Sequence, residues 1–334
     1  MPVKAQGASP GRKRVNASSE ESGLSIRTAL IGRGMAGTIF HAPLIRSVPE
    51  LELVTVAGAD GAAAAIASED IDLVVVATPN GSHFPLARAA LEAGKHVVVD
   101  KPFTTSVADA DALIALAAAR QRMLTVFHNR RWDGDFLTVR QLIESGRLGE
   151  IGLFEAHWDR FRPEPKPGWR ETGVEGSGLL WDLGPHLIDQ ALLLFGRPDS
   201  AIGDVATQRR GAAADDYFAI TLRYGRRRIR LCASNLVAEP RPRFAVHGTS
   251  GSFVKHGLDP QEEALRLGIA PQAGPPGILT GPDGGREEIP TVPGRYSAFY
   301  EGVAAAVGGR APPPVDPADA REGMRIIEQA RAGG

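Results

Sequence analysis

The chain has 334 residues, enough for about two domains at roughly 150 residues each. Its residues are 43% hydrophobic and 23% charged, with a net charge of -1, which is ordinary globular usage without the basic footprint of a nucleic-acid binder. A single cysteine, Cys232, excludes an intrachain disulfide and a cysteine metal cage.

Residues 1–24 are polar and carry neither apolar periodicity nor the apolar core of a signal peptide. They predict a disordered tail, with Arg12-Lys13-Arg14 as part of a solvated segment. No later stretch has the length of uninterrupted apolar residues needed to span a bilayer, so a cytoplasmic protein without membrane contact is expected. From residue 25, short apolar runs alternate with helical patterns. Strands are predicted at Ile26–Ile31, Leu51–Val56, Leu73–Ala77, His96–Val99 and Leu124–Phe127. Helices are predicted at Met35–Ser47, Ala62–Glu69, Pro85–Ala93 and Val107–Ala119. This alternation predicts a parallel sheet with helices on both faces, and uniformly apolar strands fit burial on both sides.

Gly32-Arg33-Gly34-Met35-Ala36-Gly37 stands at the first strand-to-helix junction. In such a G-x-G-x-x-G the first glycine allows a tight turn, and the second lets a pyrophosphate approach the backbone. The third lets the helix pack close to the strand. The helix start offers free N–H groups and a positive dipole end to the phosphates. Asp60, just past the second strand, is either the acidic residue for the adenosine ribose or half of an Asp60-Gly61 turn. The lack of an Arg at that strand end points weakly to NAD over NADP.

The second half begins with a predicted strand at Gly152–Phe161, then the helix Gly178–Phe195 with Leu183, Leu187, Ala191 and Leu194 as its apolar stripe. Strands follow at Ala201–Gln208, Asp216–Tyr224, Arg228–Ala233, Arg243–His247 and Ser252–Lys255. Their alternation predicts a sheet with one covered face. Residues 268–294 contain 13 Gly or Pro and predict a loop with one short strand at Glu287–Thr291. A last helix is expected from Pro317, capped by Asp316.

Gly32–Gly37, Ala77-Thr78-Pro79-Asn80 with His83, Asp100-Lys101-Pro102, and then Asp182 and His186, in that order, resemble the Gfo/Idh/MocA oxidoreductases. His128-Asn129-Arg130-Arg131-Trp132-Asp133, Trp169-Arg170-Glu171, Trp181–His186 and Val246-His247-Gly248 narrow the resemblance to the branch with NADP-dependent scyllo-inositol dehydrogenases. The resemblance covers about residues 25–331. It implies a Rossmann domain over 25–128 and an α/β domain over 129–331 with an open, mainly antiparallel sheet for substrate binding and oligomerisation. It also implies NAD or NADP chemistry on a polyol, inositol or sugar, in a homodimer or homotetramer joined through the exposed sheet face. The sequence departs from the family in three ways. Only 14 residues separate Val56 from Ile71, so an edge strand is missing and the second strand is expected at the sheet edge. Gly58-Ala59 replaces the Ser-Arg that meets a 2′-phosphate in this branch. The chain stops at Gly334, where relatives continue into one more strand.

Oxidation of a secondary alcohol needs hydride transfer to the nicotinamide and loss of the hydroxyl proton; the protein serves the second. Lys101 follows a strand at the sheet's carboxyl end, where such folds bind ligands. The resemblance makes it the lysine on the reacting oxygen. Asp182 and His186 are spaced i, i+4 and share one helix face. A neutral imidazole suits a general base. The resemblance makes His186 the acid/base, with Lys101 assisting and Asp182 holding the substrate hydroxyl or tuning the histidine. The cofactor-binding candidates are Gly32, Arg33, Gly34, Met35, Ala36, Gly37, Asp60, Ala77, Thr78, Pro79, Asn80, His83, Asp100, Lys101, Pro102 and Asn129. Those for substrate are Lys101, Arg130, Trp132, Trp169, Arg170, Asp182 and His186. His41 and the other histidines read as core or surface residues. No His/Cys spacing supports a metal site. A second reading stays open, a relative that binds nucleotide but has lost turnover and acts as a sensor or scaffold.

Overall fold

The computed structural model describes residues 25–332; the tail expected over 1–24 falls outside them. The first half runs β1 (Ile26–Ile31), π-type turns over Ala36–His41 continuing into α1 (Ala42–Arg46), β2 (Leu51–Ala57), α2 (Ala62–Ala67), β3 (Leu73–Val76), α3 (His83–Glu92), β4 (His96–Val99), α4 (Val107–Arg120) and β5 (Leu124–Val126). The five strands are parallel in the order β2-β1-β3-β4-β5. Val74–Val76 and Val97–Val99 are fully buried, as strands covered on both faces must be. β2 lies at the edge, and its exposed Glu52 and Val54 follow from that position. Ser106 caps α4 by accepting the Asp109 N–H at 3.1 Å.

The second half runs α5 (Gly134–Glu144), β6 (Ile151–Asp159), α6 (Leu179–Phe195), β7 (Ser200–Ala206), β8 (Tyr217–Tyr224), β9 (Arg227–Ser234), β10 (Phe244–Gly248), β11 (Gly251–Lys255), α7 (Gln261–Leu267), β12 (Gly277–Thr280), β13 (Arg286–Ile289), α8 (Ser297–Val307) and α9 (Pro317–Ala332). Its eight strands follow the order β13-β12-β11-β10-β6-β9-β8-β7. Every neighbouring pair is antiparallel except β6 with β9. Phe154, Phe218, Ile229, Leu231, Phe244 and Phe253 form a fully buried face. α6 packs on it through β6, β8 and β9. Each such large side chain stabilises the fold by roughly 1.5–3 kcal/mol.

Residues 268–294 differ from expectation: they contain two paired strands, β12 and β13, rather than one. The glycine that obscures β12 is a packing requirement. A Cβ at Gly277 would lie 2.2 Å from Cζ of Phe253 on the neighbouring strand. α9 joins the two halves by touching α4 and β5 on one side and α6 and β7 on the other. Asp316 accepts the Ala318 N–H at 2.8 Å, which holds the start of that helix.

Candidate active site

A cavity of about 290 Å³ opens where the carboxyl ends of the parallel strands meet α6, β6 and α7. Met35, Ala36, Phe40, Asp100 and Lys101 reach it from the first half, and Asn129 from the junction between the halves. Arg130, Trp158, Arg160, Asp182, His186 and Glu262 reach it from the second. A larger hollow of about 800 Å³ lies beside Trp181 and Arg331, but the glycine turn and Lys101 face the smaller one.

The glycine turn fits a dinucleotide. Gly32 has φ +137°, and a Cβ there would lie 2.1 Å from the Ala77 carbonyl oxygen. A Cβ at Gly37 would lie 2.0 Å from the Gly32 carbonyl oxygen. Both glycines are therefore fixed by close backbone approach. Around Gly34 nothing lies within 4 Å of that point, so the backbone faces open space where a pyrophosphate can approach.

Lys101 Nζ donates to the Asp182 carbonyl oxygen at 2.6 Å and lies 3.3 Å from Asp182 Oδ1. Arg160 NH1 donates to Asp182 Oδ2 at 3.2 Å, and Arg170 Nε lies 3.6 Å from Oδ1. Burial alone would raise the Asp182 carboxyl, yet the Lys101, Arg160 and Arg170 charges hold it well below the usual carboxylate range. One turn later His186 is 6% exposed and stacks on Trp158 with ring centroids 6.0 Å apart. Its Nδ1 has no hydrogen-bond partner. Burial pushes the His186 imidazole well below its ordinary value, and Lys101 and Arg130 push the same way. The cavity thus holds an ionised carboxylate among cations beside a neutral imidazole, a group able to accept a hydroxyl proton.

Several expected contacts are placed differently. Trp132 turns away from the cavity and packs edge-on against Phe299, 5.9 Å between ring centroids, because the core there needs an aromatic partner. Trp169 lies outside the cavity lining and carries Arg170 over its ring at 4.6 Å, so it supports that arginine rather than facing substrate. His83 is fully buried and cannot reach a cofactor. Its Nδ1 lies 2.8 Å from the Pro102 carbonyl oxygen and its Nε2 2.9 Å from that of Thr78, which ties together the turns that follow β3 and β4. Asn80 donates to the Gly176 carbonyl oxygen at 2.7 Å, and Thr78 Oγ1 accepts from Ser82. Arg130 lines the cavity but is committed to Tyr296 at 2.9 Å and Glu262 at 2.7 Å. Asp60 lies three residues beyond β2, 3.8 Å from Arg33. The side chain of His41, expected as bland, lies 3.8 Å from Asp100 while its Nδ1 meets the Tyr300 hydroxyl at 2.6 Å.

Arg160, Trp158, Glu262 and Arg266 were not among the candidates, yet they line the cavity. Arg160 lies one residue past β6, and α7 brings Arg266 within 3.1 Å of Met35 Sδ on the glycine turn. No local signal marks them, because long-range packing makes them neighbours of the site.

The buried histidines carry a pH prediction. Burial pushes His83, His128 and His186 below the ordinary imidazole value. Below about pH 6.5 the unfolded chain takes up protons there and the fold does not, so stability falls as the pH is lowered, by at most roughly 1.4 kcal/mol per unit for each group. Urea midpoints are expected to drop between about pH 7 and pH 5.5, with a shallower slope in His186→Gln. Equal slopes in the variant and the parent would contradict the assignment.

The parallel sheet, its glycine turn and the lysine, aspartate and histidine gathered at one cavity define a nicotinamide-dependent oxidoreductase. The comparisons with known proteins agree. Residues 59–128 match the model described as "Oxidoreductase family, NAD-binding Rossmann fold", and residues 136–254 match the "GFO/IDH/MocA C-terminal domain". The chain belongs to the Gfo/Idh/MocA family of oxidoreductases. It is 47% identical over 328 residues to the uncharacterized oxidoreductase YdgJ of Escherichia coli, covering 91% of this chain and 95% of that protein. To scyllo-inositol 2-dehydrogenase (NADP(+)) IolW of Bacillus subtilis it is 36% identical over 346 residues, covering 96% and 94%. The solved structure of the oxidoreductase yvaA from Bacillus subtilis aligns with a TM-score of 0.89 at 35% identity, over 93% of this chain and 96% of that one. That of YPO2259 from Yersinia pestis aligns with a TM-score of 0.86 at 43% identity, over 93% and 95%.

Proposed function

We propose that the protein is a dehydrogenase of a polyol, with an inositol as the leading substrate and the matching ketone as product. The observation that carries this reading is the grouping of Lys101, Asp182 and His186 at one cavity with the glycine turn. The relation to relatives named as dehydrogenases of scyllo-inositol, inositol and a UDP-sugar supports the substrate class. A cation-rich lining suits a ligand made of hydroxyl groups.

A bound nicotinamide cofactor supplies the hydride acceptor. The Gly32–Gly37 turn, open at Gly34, would receive its pyrophosphate, with Met35, Ala36 and Asn129 lining the same cavity. Lys101 places an ammonium against the substrate oxygen and stabilises the negative charge that grows as the proton leaves. Asp182 holds that ammonium in place and accepts from a substrate hydroxyl. His186 is neutral at working pH and takes the hydroxyl proton. Arg160 and Arg170 keep Asp182 ionised, so it cannot compete with His186 for that proton. Copies of the chain associate through the outer face of the eight-stranded sheet.

The reading is tested by incubating the protein with NAD or NADP and a panel of inositols and sugars while following absorbance of the reduced cofactor. Turnover on an inositol that is lost in His186→Ala supports it. Cofactor binding with no turnover on any polyol overturns it in favour of a sensor or scaffold.

A further inference from the structure

His186 lacks the usual device that orients a reactive imidazole. Such rings are commonly fixed by a hydrogen bond at the second ring nitrogen, but Nδ1 of His186 is buried with no partner. What lies against the ring is Trp158, near the end of β6, with the two ring planes 27° apart. Two buried guanidinium groups lie over the same indole. Cζ of Arg130 is 4.6 Å from its ring centroid, and Cζ of Arg243 is 5.1 Å away. Arg243 precedes β10 by one residue, and its carbonyl oxygen accepts the His157 N–H at 3.0 Å, which fixes it beside Trp158. Its NH2 donates to Gln190 Oε1 at 2.8 Å, and Gln190 Nε2 donates to the Arg130 carbonyl oxygen at 2.9 Å. Gln190 stands one turn after His186 on α6, so the imidazole, the indole and both arginines belong to one frame. Nε and NH1 of Arg243 have no hydrogen-bond partner. Burying a guanidinium is costly, and an indole that only filled the core would not gather two of them.

We propose that Trp158 and Arg243 are positioning residues for His186: Trp158 fixes the plane of the imidazole by stacking, and Arg243, with Arg130, holds the indole and keeps the imidazole uncharged. The proposal rests on the reading of His186 as the base. An isolated indole would have the opposite effect, since its π-face attracts a cation and would favour an imidazolium. With two guanidinium groups on that ring, its attraction is already used and a further positive charge is repelled. The rest of the surroundings act in the same sense. Burial disfavours charge on the imidazole; Lys101 from the turn after β4, Arg130 and His128 from the segment after β5, and Arg243 from the start of β10 oppose it further. The carboxylates on α6 are engaged elsewhere, Asp182 with Lys101 and Arg160, and Asp189 with Arg131. A base kept free of protons can take the hydroxyl proton as soon as substrate is bound.

NMR titration of the intact protein, with its histidine rings labelled at Cε1 and no polyol present, tests it; His186→Gln identifies the signal. Arg243→Met is expected to let His186 take up a proton at least about tenfold more readily, a midpoint higher by about one pH unit or more. Arg243→Lys keeps the charge and is expected to hold the midpoint near that of the parent. Asp135 Oδ2 lies 3.7 Å from Arg243 Nε, so Arg243→Met leaves a buried carboxylate without its cation. Arg243→Met with Asp135→Asn removes that carboxylate and is expected to show the same rise. Trp158→Leu is expected to abolish the ring-current displacement of the His186 Cε1 proton, and Trp158→Phe to retain part of it. On a polyol that is turned over, Trp158→Leu should lower kcat at least about tenfold with KM for the cofactor unchanged. Arg243→Met should move the acid limb of the kcat profile to higher pH along with the imidazole. A His186 titration identical in the parent, Arg243→Met and the double variant overturns the proposal, as does a ring-current displacement unchanged in Trp158→Leu. These NMR shifts without turnover on any polyol would overturn the proposed substrate and leave the positioning assignment standing.

Discussion

Replacing Lys101 by methionine is expected to lower kcat by about 10²–10⁴-fold and to leave cofactor affinity within a few fold. The lysine Nζ sits between the Asp182 carbonyl oxygen and its carboxylate, and the side chain is 15% exposed. Methionine keeps the length and apolar stem but removes the charge that the proposed reaction sets against the substrate oxygen. Asp182 keeps two of its three cations, Arg160 and Arg170, so the local fold has no reason to open. The loss should therefore fall on kcat, with a smaller effect on KM, because a developing negative charge is met only in the transition state. Steady-state kinetics on the active polyol, with thermal melting as the control for folding, checks this. A variant that loses substrate affinity but keeps kcat would make Lys101 a binding residue only.

The second large effect concerns the frame behind His186. Arg131 donates to both carboxylate oxygens of Asp189, at 2.8 and 2.7 Å, and to Asp319 at 3.2 Å. Asp189 lies on α6, three residues after His186, and is 4% exposed. Burial alone would raise its carboxyl, but His128 and Arg131 hold it below the usual range. Arg131→Met leaves that carboxylate buried without its fork. The expected cost is about 3–5 kcal/mol, and a melting temperature lower by roughly 10 °C. The double change Arg131→Met with Asp189→Leu removes both charges and should regain most of the loss. Denaturant unfolding of the three proteins measures it. A single variant as stable as the parent would show that the pair contributes nothing.

These effects mark how far local sequence reaches. β3 is uniformly apolar, and β1 and β4 are apolar over their buried ends Ala29–Ile31 and Val97–Val99, because both faces of the sheet are covered there, so their positions follow from hydrophobic runs. The edge position of β2 follows from the short 57–70 connection. α6 is legible from its stripe, and Asp182 and His186 from their spacing on it. The β12–β13 hairpin is hidden, since its glycine answers to the ring of Phe253 and not to strand propensity. Trp132 resembles a sugar contact from its polar neighbours, yet its partner Phe299 is distant in sequence. Arg33 is legible as part of the glycine motif but not as a visitor to the β2 edge, which only the crossing of two loops creates. Local pattern thus reveals the sheets and the candidate reactive group, while the surrounding cations depend on packing between distant segments.

The central claim is that a hydride leaves a secondary alcohol carbon held at Lys101, Asp182 and His186. The most direct measurement uses inositol carrying deuterium on its ring carbons, with NAD or NADP, followed by mass analysis of the reduced cofactor. The account predicts one deuterium in the reduced nicotinamide, and none above background in Lys101→Met or His186→Ala. Bound cofactor that never acquires deuterium from any inositol would contradict it.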